Sequence, residues 1–97
     1  MNINALMQQA QKMQKDMQKT QEEVSKMTFT SKKELVEVTV SGDRKIVSIK
    51  INPEVLEDDI ELLEDMITIA TNEALKQAEN EMEKRLSKYS SLMPGLF

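Results

Sequence analysis

The side chains able to do chemistry fall into one acidic cluster and three basic patches. Glu57, Asp58, Asp59, Glu61, Glu64 and Asp65 form the one dense set of carboxylates, a composition that can hold a divalent cation or supply an acid/base pair. The same residues stand where an apolar-periodic stretch begins, and unpaired N–H groups at a helix start favour carboxylates without any catalytic purpose. No glycine-bearing ligand loop accompanies them, so the structural explanation is preferred. The chain has no Cys and no His, which removes thiol nucleophiles, imidazole bases, disulfides and most zinc sites. With two glycines and no phosphate-cradling loop or nucleophile motif, a nucleotide fold is disfavoured. No catalytic residue, metal, cofactor or small-molecule substrate is expected, and a carboxylate-based hydrolase is kept only as a formal alternative.

The cations are arranged differently. Lys12, Lys15, Lys19 and Lys26 step along the first helical stretch beside its apolar seam, Lys32, Lys33, Arg44 and Lys45 decorate loops, and Lys84, Arg85 and Lys88 cluster near the distal end of the last helix. Such lysines commonly just solvate a helix. A dimer would duplicate each patch, however, and phosphate contacts require repeated Lys or Arg rather than a sequence-reading motif. Lys12, Lys15, Lys19, Lys84, Arg85 and Lys88 are therefore the candidate DNA-binding residues. Aromatic residues make up only 3% of the chain, so base stacking on aromatic platforms is not expected and binding would be to duplex backbone. The net charge of −4 is unevenly divided: residues 1–50 hold nine Lys or Arg against six Asp or Glu, and residues 51–97 hold four against eleven. That asymmetry points to a functional polarity, with a solvated acidic helix face as the simpler explanation.

The elements that must carry these groups are legible from periodicity. Leu35–Ile51 reads as a β-hairpin: Val36, Val38 and Val40 share one face, Val47, Ile49 and Ile51 share one face of the return strand, and Gly42-Asp43 is taken as a two-residue loop with Gly at positive φ. That register sets Val38 opposite Val47 and Val36 opposite Ile49. Met27–Ser31 alternates and is rich in β-formers, adding a third strand, with the turn at Ser31–Glu34. Before it, Ile3, Leu6, Ala10, Met13, Met17, Thr20, Val24 and Met27 alternate by three and four, a heptad seam on a helix from Ile3 to Lys26 capped by Asn2 or Asn4. The eight Met residues are read as packing filler rather than a ligand groove.

After the sheet, Asn52-Pro53-Glu54 predicts a short turn over Pro53–Leu56. Asp58 with Glu61 is read as the cap of a long helix from Asp59 to Leu92. Its stripe is Ile60, Leu63, Ile67, Ala70, Ala74, Ala78, Met82, Leu86, Tyr89 and Met93. Pro94 and Gly95 then break the helix, leaving an apolar Leu96-Phe97 end. The fold class is α+β in one domain over residues 1–97: long N-terminal helix, three-stranded antiparallel sheet, short helical turn, long C-terminal helix. A six-residue strand spans about 20 Å, whereas about 24 helical residues span about 36 Å. Helices so much longer than their sheet must project, and their apolar stripes need a partner. A homodimer is expected, with Leu6, Met13, Met17, Val36, Val38, Ile49 and Ile67 as interface candidates. No apolar run is long enough to span a membrane and no signal-peptide pattern is present, so the expected address is the cytoplasm.

Four pieces in order, Leu6-Met7-Gln8-Gln9-Ala10-Gln11-Lys12-Met13-Gln14, Leu35-Val36-Glu37-Val38-Thr39-Val40-Ser41-Gly42, Leu56-Glu57-Asp58-Asp59 with Leu63-Glu64-Asp65, and Pro94-Gly95-Leu96-Phe97, resemble the YbaB/EbfC family of bacterial nucleoid-associated proteins over nearly the whole chain. The resemblance implies a cytoplasmic, nucleoid-located homodimer whose long helices project like tweezers, and which binds duplex DNA and alters its conformation without catalysis, with roles in nucleoid organisation or gene regulation. It also implies a glycine-containing loop before the central strand, where this chain has Ser31-Lys32-Lys33-Glu34. The alternative function is a protein-interaction adaptor that docks a replication or repair factor through the helix seam and apolar tail.

Overall fold

Helix α1 runs Ile3–Ser25 and starts where Asn2 Oδ1 accepts a hydrogen bond from the Asn4 N–H at 3.0 Å, satisfying one of the donors a helix start leaves unpaired. The structure is a computed structural model and describes residues 2–55 and 59–92, with the side chains of residues 55 and 90–92 left aside. The expected cap at Asp58 and the tail from Met93 to Phe97 lie outside the described residues.

Three strands follow, β1 Thr28–Lys33, β2 Val36–Ser41 and β3 Ile46–Ile51, as an antiparallel meander in the order β1-β2-β3. β1 is longer than expected. Ser31, Lys32 and Lys33 are not a turn but pair with Val38, Glu37 and Val36, because an edge strand tolerates lysines that a central one would not. The turn is Glu34-Leu35, with Glu34 at φ 53°. The β2–β3 register also differs from expectation. Val38 faces Ile49, Val36 faces Ile51 and Val40 faces Ile46, with Val47 inserted as a bulge. The loop between them spans residues 42–45. Its positive φ, 66°, belongs to Arg44 rather than to Gly42, and it is closed by Ser41 N–H to Lys45 O at 2.8 Å and Arg44 N–H to Ser41 O at 2.9 Å. The longer loop displaces the pairing, while Val36, Val38 and Val40 keep a common face.

Gly42 serves another purpose. A Cβ there would stand 1.8 Å from the carbonyl oxygen of Val24, and the Gly42 N–H donates to Met27 O at 2.9 Å. The hairpin thus docks backbone-to-backbone against the C-terminal end of α1, a close approach only glycine allows.

A 3₁₀ turn at Pro53–Val55, with Asn52 Oδ1 accepting from the Glu54 N–H at 3.0 Å, leads towards α2, Ile60–Leu92. The cap of α2 is Asp59, whose Oδ1 accepts from the Leu62 N–H at 3.0 Å. Met66, Ala70, Ala74 and Ala78 pack on Val36, Val38 and Val40 as the core, edged by Phe29, Ile51, Leu63, Ile67 and Leu75. The alanines let the helix sit close to the sheet. Ile60, expected on the apolar stripe, is 70% exposed because it lies in the first turn, ahead of Leu63, the first α2 residue packed on this core; Met66, outside the expected stripe, is buried. On the same sheet face Ser31 is buried, and its Oγ donates to the Glu73 carboxylate of α2 at 2.7 Å.

Helix α2 packs mainly on β1 and β2. Ile46, Val47 and Ile49 of β3 therefore remain exposed, although Ile49 shares the core face with Val38. The molecule measures 70 × 20 × 13 Å with a radius of gyration of 19.3 Å, against about 12–13 Å for a compact chain of this length. The elongation that the helix lengths required is realised.

Candidate nucleic-acid interface

The cations expected to meet DNA sit on a helix pair whose geometry is set by four side chains. Thr20 Oγ1 of α1 and Tyr89 Oη of α2 are 3.4 Å apart, and Arg85 Nη1 stands 3.8 Å from the Glu23 carboxylate. The α1 position rises as the α2 position falls, so the two helices run antiparallel, with the C-terminal half of α1 alongside the distal part of α2. Val24 is fully buried at the base of this pair, Met13, Met17 and Thr20 are half-buried, and residues 2–12 are all exposed. Packing on α2 thus covers the seam only towards its C-terminal end, leaving Ile3, Leu6 and Met7 as an uncovered apolar edge on a projecting arm.

Lys12, Lys15, Lys19 and Lys26 are exposed. At 3.6 residues per turn, the direction of Lys12, Lys15 and Lys19 lies roughly 155° from that of the apolar stripe. They do not flank the seam, as the linear reading had them; they form the opposite, outer face of the arm. None of the three is in an ion pair among the described residues. Beside them Gln11, Gln14, Lys15 and Gln18 line a shallow open groove. The outer face is consequently a row of lysines and neutral amides, about 10 Å long from Lys12 to Lys19, with the exposed carboxylate of Asp16 beside it.

The distal α2 cations divide. Lys84 is exposed. Arg85 is held inside the protein's own network: its Nε donates to Glu81 Oε1 at 2.8 Å while its guanidinium faces Glu23 of α1. It is a strut between the helices, and Glu23, which the sequence did not single out, is its partner. Lys88 Nζ lies 5.0 Å from the centre of the Tyr89 ring, within cation–π range. Of the loop cations, Lys45 reaches Asp43 at 3.8 Å. The Asp43 carboxyl is held below the usual carboxylate range, first by the Ser41 hydroxyl that donates to it and then by the charge of Lys45.

Of the acidic cluster expected at the start of α2, Glu57 and Asp58 lie outside the described residues. Asp59 is the cap, Glu61, Glu64 and Asp65 are exposed, and among the described residues no three His, Cys, Asp or Glu side chains are grouped to hold a metal. The interface candidates also separate. Val36 and Val38 are wholly buried in the core with α2 of their own chain, which removes them from any surface a second copy could touch, and Ile67 is half-buried at the edge of that core. Leu6 and Ile49 stand exposed, with Met13 and Met17 half-buried on α1.

Residues 1–93 match the model of the YbaB/EbfC DNA-binding family. The chain belongs to that family. It is 46% identical over 97 residues to a nucleoid-associated protein of Lactococcus lactis, covering 97% of this chain and 98% of the relative. It is 41% identical over the same length to a nucleoid-associated protein of Streptococcus pneumoniae. The crystal structure of an uncharacterised Helicobacter pylori protein superposes with a TM-score of 0.74 at 23% identity, over 95% of this chain and 98% of that one; the fold is shared. The YbaB/EbfC arrangement of two long helices about a three-stranded antiparallel sheet is therefore the frame in which the lysine row is presented. Among the described residues no helix is long and apolar enough to cross a membrane.

Proposed function

We propose that this YbaB/EbfC protein is a nucleoid-associated homodimer that binds duplex DNA through the outer faces of its α1 arms and changes the conformation of the DNA. The observation that carries the proposal is the row Lys12, Lys15 and Lys19: exposed, in no ion pair among the described residues, and on the side of α1 opposite its apolar seam. DNA presents one phosphate charge per about 1.7 Å of axis, so a cationic row of this length faces several phosphates at once. Lys84 extends the surface on α2, whereas Arg85 contributes by holding the two helices together. In the dimer, the second copy covers β3, where Ile46, Val47 and Ile49 are exposed beside a finished core. Two arms on one assembly grip two separated stretches of backbone, and a duplex that touches both must follow the spacing they impose. Positioning by phosphate contacts involves no reaction, and the location that follows is the nucleoid in the cytoplasm.

The test is a salt titration. With three lysines per subunit duplicated by the dimer, log Kobs for a 30-bp duplex falls with log salt at a slope of about −5, and Lys15→Gln reduces the magnitude by about 2. Binding indifferent to salt, or unchanged by Lys12→Gln, Lys15→Gln and Lys19→Gln together, refutes the assignment. Ile49→Lys gives a monomer in sedimentation with a halved slope; a variant that stays dimeric refutes the placement of the second copy on β3. An adaptor would instead retain its protein partners in pull-downs after nuclease treatment.

A further inference from the structure

The excess of positive charge in the first half of the chain belongs to the sheet rather than to the arm. Residues 1–25 hold three Lys against three Asp or Glu, whereas residues 26–50 hold six Lys or Arg against three. With α2 on its core face, the sheet carries Lys32, Glu37 and Lys50 paired across the opposite face, and Thr30, Thr39 and Ser48 paired beside them. Lys32 and Lys50 are exposed, in no ion pair among the described residues, and line one shallow open cavity with Glu37 between them. The Thr30 and Thr39 hydroxyls meet at 2.8 Å on the surface. Lysines and hydroxyls are side chains that contact phosphate.

The tertiary structure sets this face in line with the lysine row. Thr20 and Glu23 meet Tyr89 and Arg85, Thr30 O accepts from Gln77 Nε2 at 3.3 Å, and Ser31 meets Glu73. Helix α1 and strand β1 therefore follow one another along α2, both antiparallel to it. On α2, at about 100° per residue, Arg85 and Tyr89 point about 40° and about 80° from the mean direction of Met66, Ala70, Ala74 and Ala78. The arm and the sheet are thus seated on the same side of α2. Their outer faces look the same way, and α2, with seven Asp or Glu against four Lys or Arg, lies behind both.

We propose that the outer face of the sheet is a second phosphate-contacting surface, in line with the α1 lysine row, so that one duplex lies along the arm and the sheet together. This rests on the DNA-binding assignment and extends it to residues outside the arm. The spacing carries it. From Lys15, the middle of the row, to Glu23 is about 12 Å at about 1.5 Å per helical residue. From Glu23 to Ser31 is about 18 Å, the rise along α2 between their partners Arg85 and Glu73. Lys32 is one strand residue further, about 3.3 Å. The total, about 33 Å, matches one turn of B-DNA at about 34–36 Å. A duplex presents the same groove to one side once per turn, so the backbones that pass Lys15 return opposite Lys32 and Lys50. Glu37 offsets one of these two lysines, and the surplus charge faces the returning phosphates.

The chain has no cysteine, so one introduced thiol can carry an iron–EDTA probe that cleaves the DNA backbone nearby. Ser48→Cys on the outer sheet face and Gln8→Cys on the lysine face of α1 both cleave a bound 30-bp duplex. Asn72→Cys, on the side of α2 away from the sheet, does not. Cleavage from Gln8→Cys without cleavage from Ser48→Cys overturns the proposal and leaves the arm assignment standing; cleavage from neither overturns both. Equal cleavage from all three positions also overturns it. A second measurement needs no probe: Lys32→Gln with Lys50→Gln weakens duplex binding at low salt at least about tenfold through the lost phosphate contacts, while Lys32→Arg with Lys50→Arg keeps it. Unchanged affinity in the Gln variant, or an equal loss in the Arg variant, overturns the proposal even if Ser48→Cys fails to fold.

Discussion

Replacing Gly42 by Ala tests the junction on which the whole architecture turns. The added Cβ would stand 1.8 Å from Val24 O and 2.5 Å from Val24 C, both backbone atoms, so no side chain can rotate out of the way. Ordinary contact begins near 3.4 Å, and the hairpin must retreat by about 1.6 Å from the end of α1. A retreat of that size takes the Gly42 N–H out of range of Met27 O and disturbs the packing of Val24, which is fully buried. Overpacking costs about 1–3 kcal/mol and the lost hydrogen bond about 1 kcal/mol, together about 2–4 kcal/mol. For a domain of this size that lowers Tm by roughly 10–25 °C. Thermal unfolding followed by circular dichroism measures it. The comparison that decides the cause is Gly42→Asn. If Gly42 were present for a positive φ, Asn would be tolerated better than Ala; with close approach as the cause, Asn is the worse of the two. An Ala variant within about 0.5 kcal/mol of the parent, or Asn more stable than Ala, refutes the steric account.

Glu34 is the converse case, a side chain at φ 53° in the β1–β2 turn. Relieving about 1–2 kcal/mol of left-handed strain, less the entropy glycine adds to the unfolded chain, makes Glu34→Gly more stable by about 0.5–1 kcal/mol, read as a rise in Tm. Ser31→Ala removes the buried hydroxyl that donates to Glu73 and lowers stability by about 1 kcal/mol in urea unfolding, with no change in secondary structure. The Asp43 carboxyl titrates below the usual value in an NMR pH series, and Ser41→Ala returns it upward. Because its folded pKa is depressed, its stabilising contribution is present above the unfolded pKa of about 3.9 and disappears as pH falls through the folded value; a titration midpoint indifferent to Ser41→Ala refutes the hydrogen-bond cause.

Much of the candidate interface could be read from residue spacing, but not its orientation. Lys12, Lys15 and Lys19 were identifiable as a row because three- and four-residue steps return to one side of a helix. That the row faces outward followed only once the seam was placed against α2. Arg85 looked equivalent to Lys84 and Lys88 in the linear chain, yet Glu23 lies far away in sequence and 3.8 Å away in space. Nothing local to either residue announces that pair.

The sequence by itself determined the number, type and order of the elements, because the two-residue and 3.6-residue periods of apolar side chains are properties of the local backbone. It likewise determined the misfit of lengths: two rods of 23 and 33 residues on six-residue strands must overhang, by arithmetic alone. Only the tertiary structure decided which apolar residues are spent inside the subunit and which remain outside it. Val36, Val38 and Ile49 carry the same signal in the chain and share one sheet face, but α2 lies mainly over β1 and β2 and leaves Ile49 exposed. The placement of one helix across three strands is a long-range choice, settled where Ala70, Ala74 and Ala78 meet Val36, Val38 and Val40, and no local period encodes it.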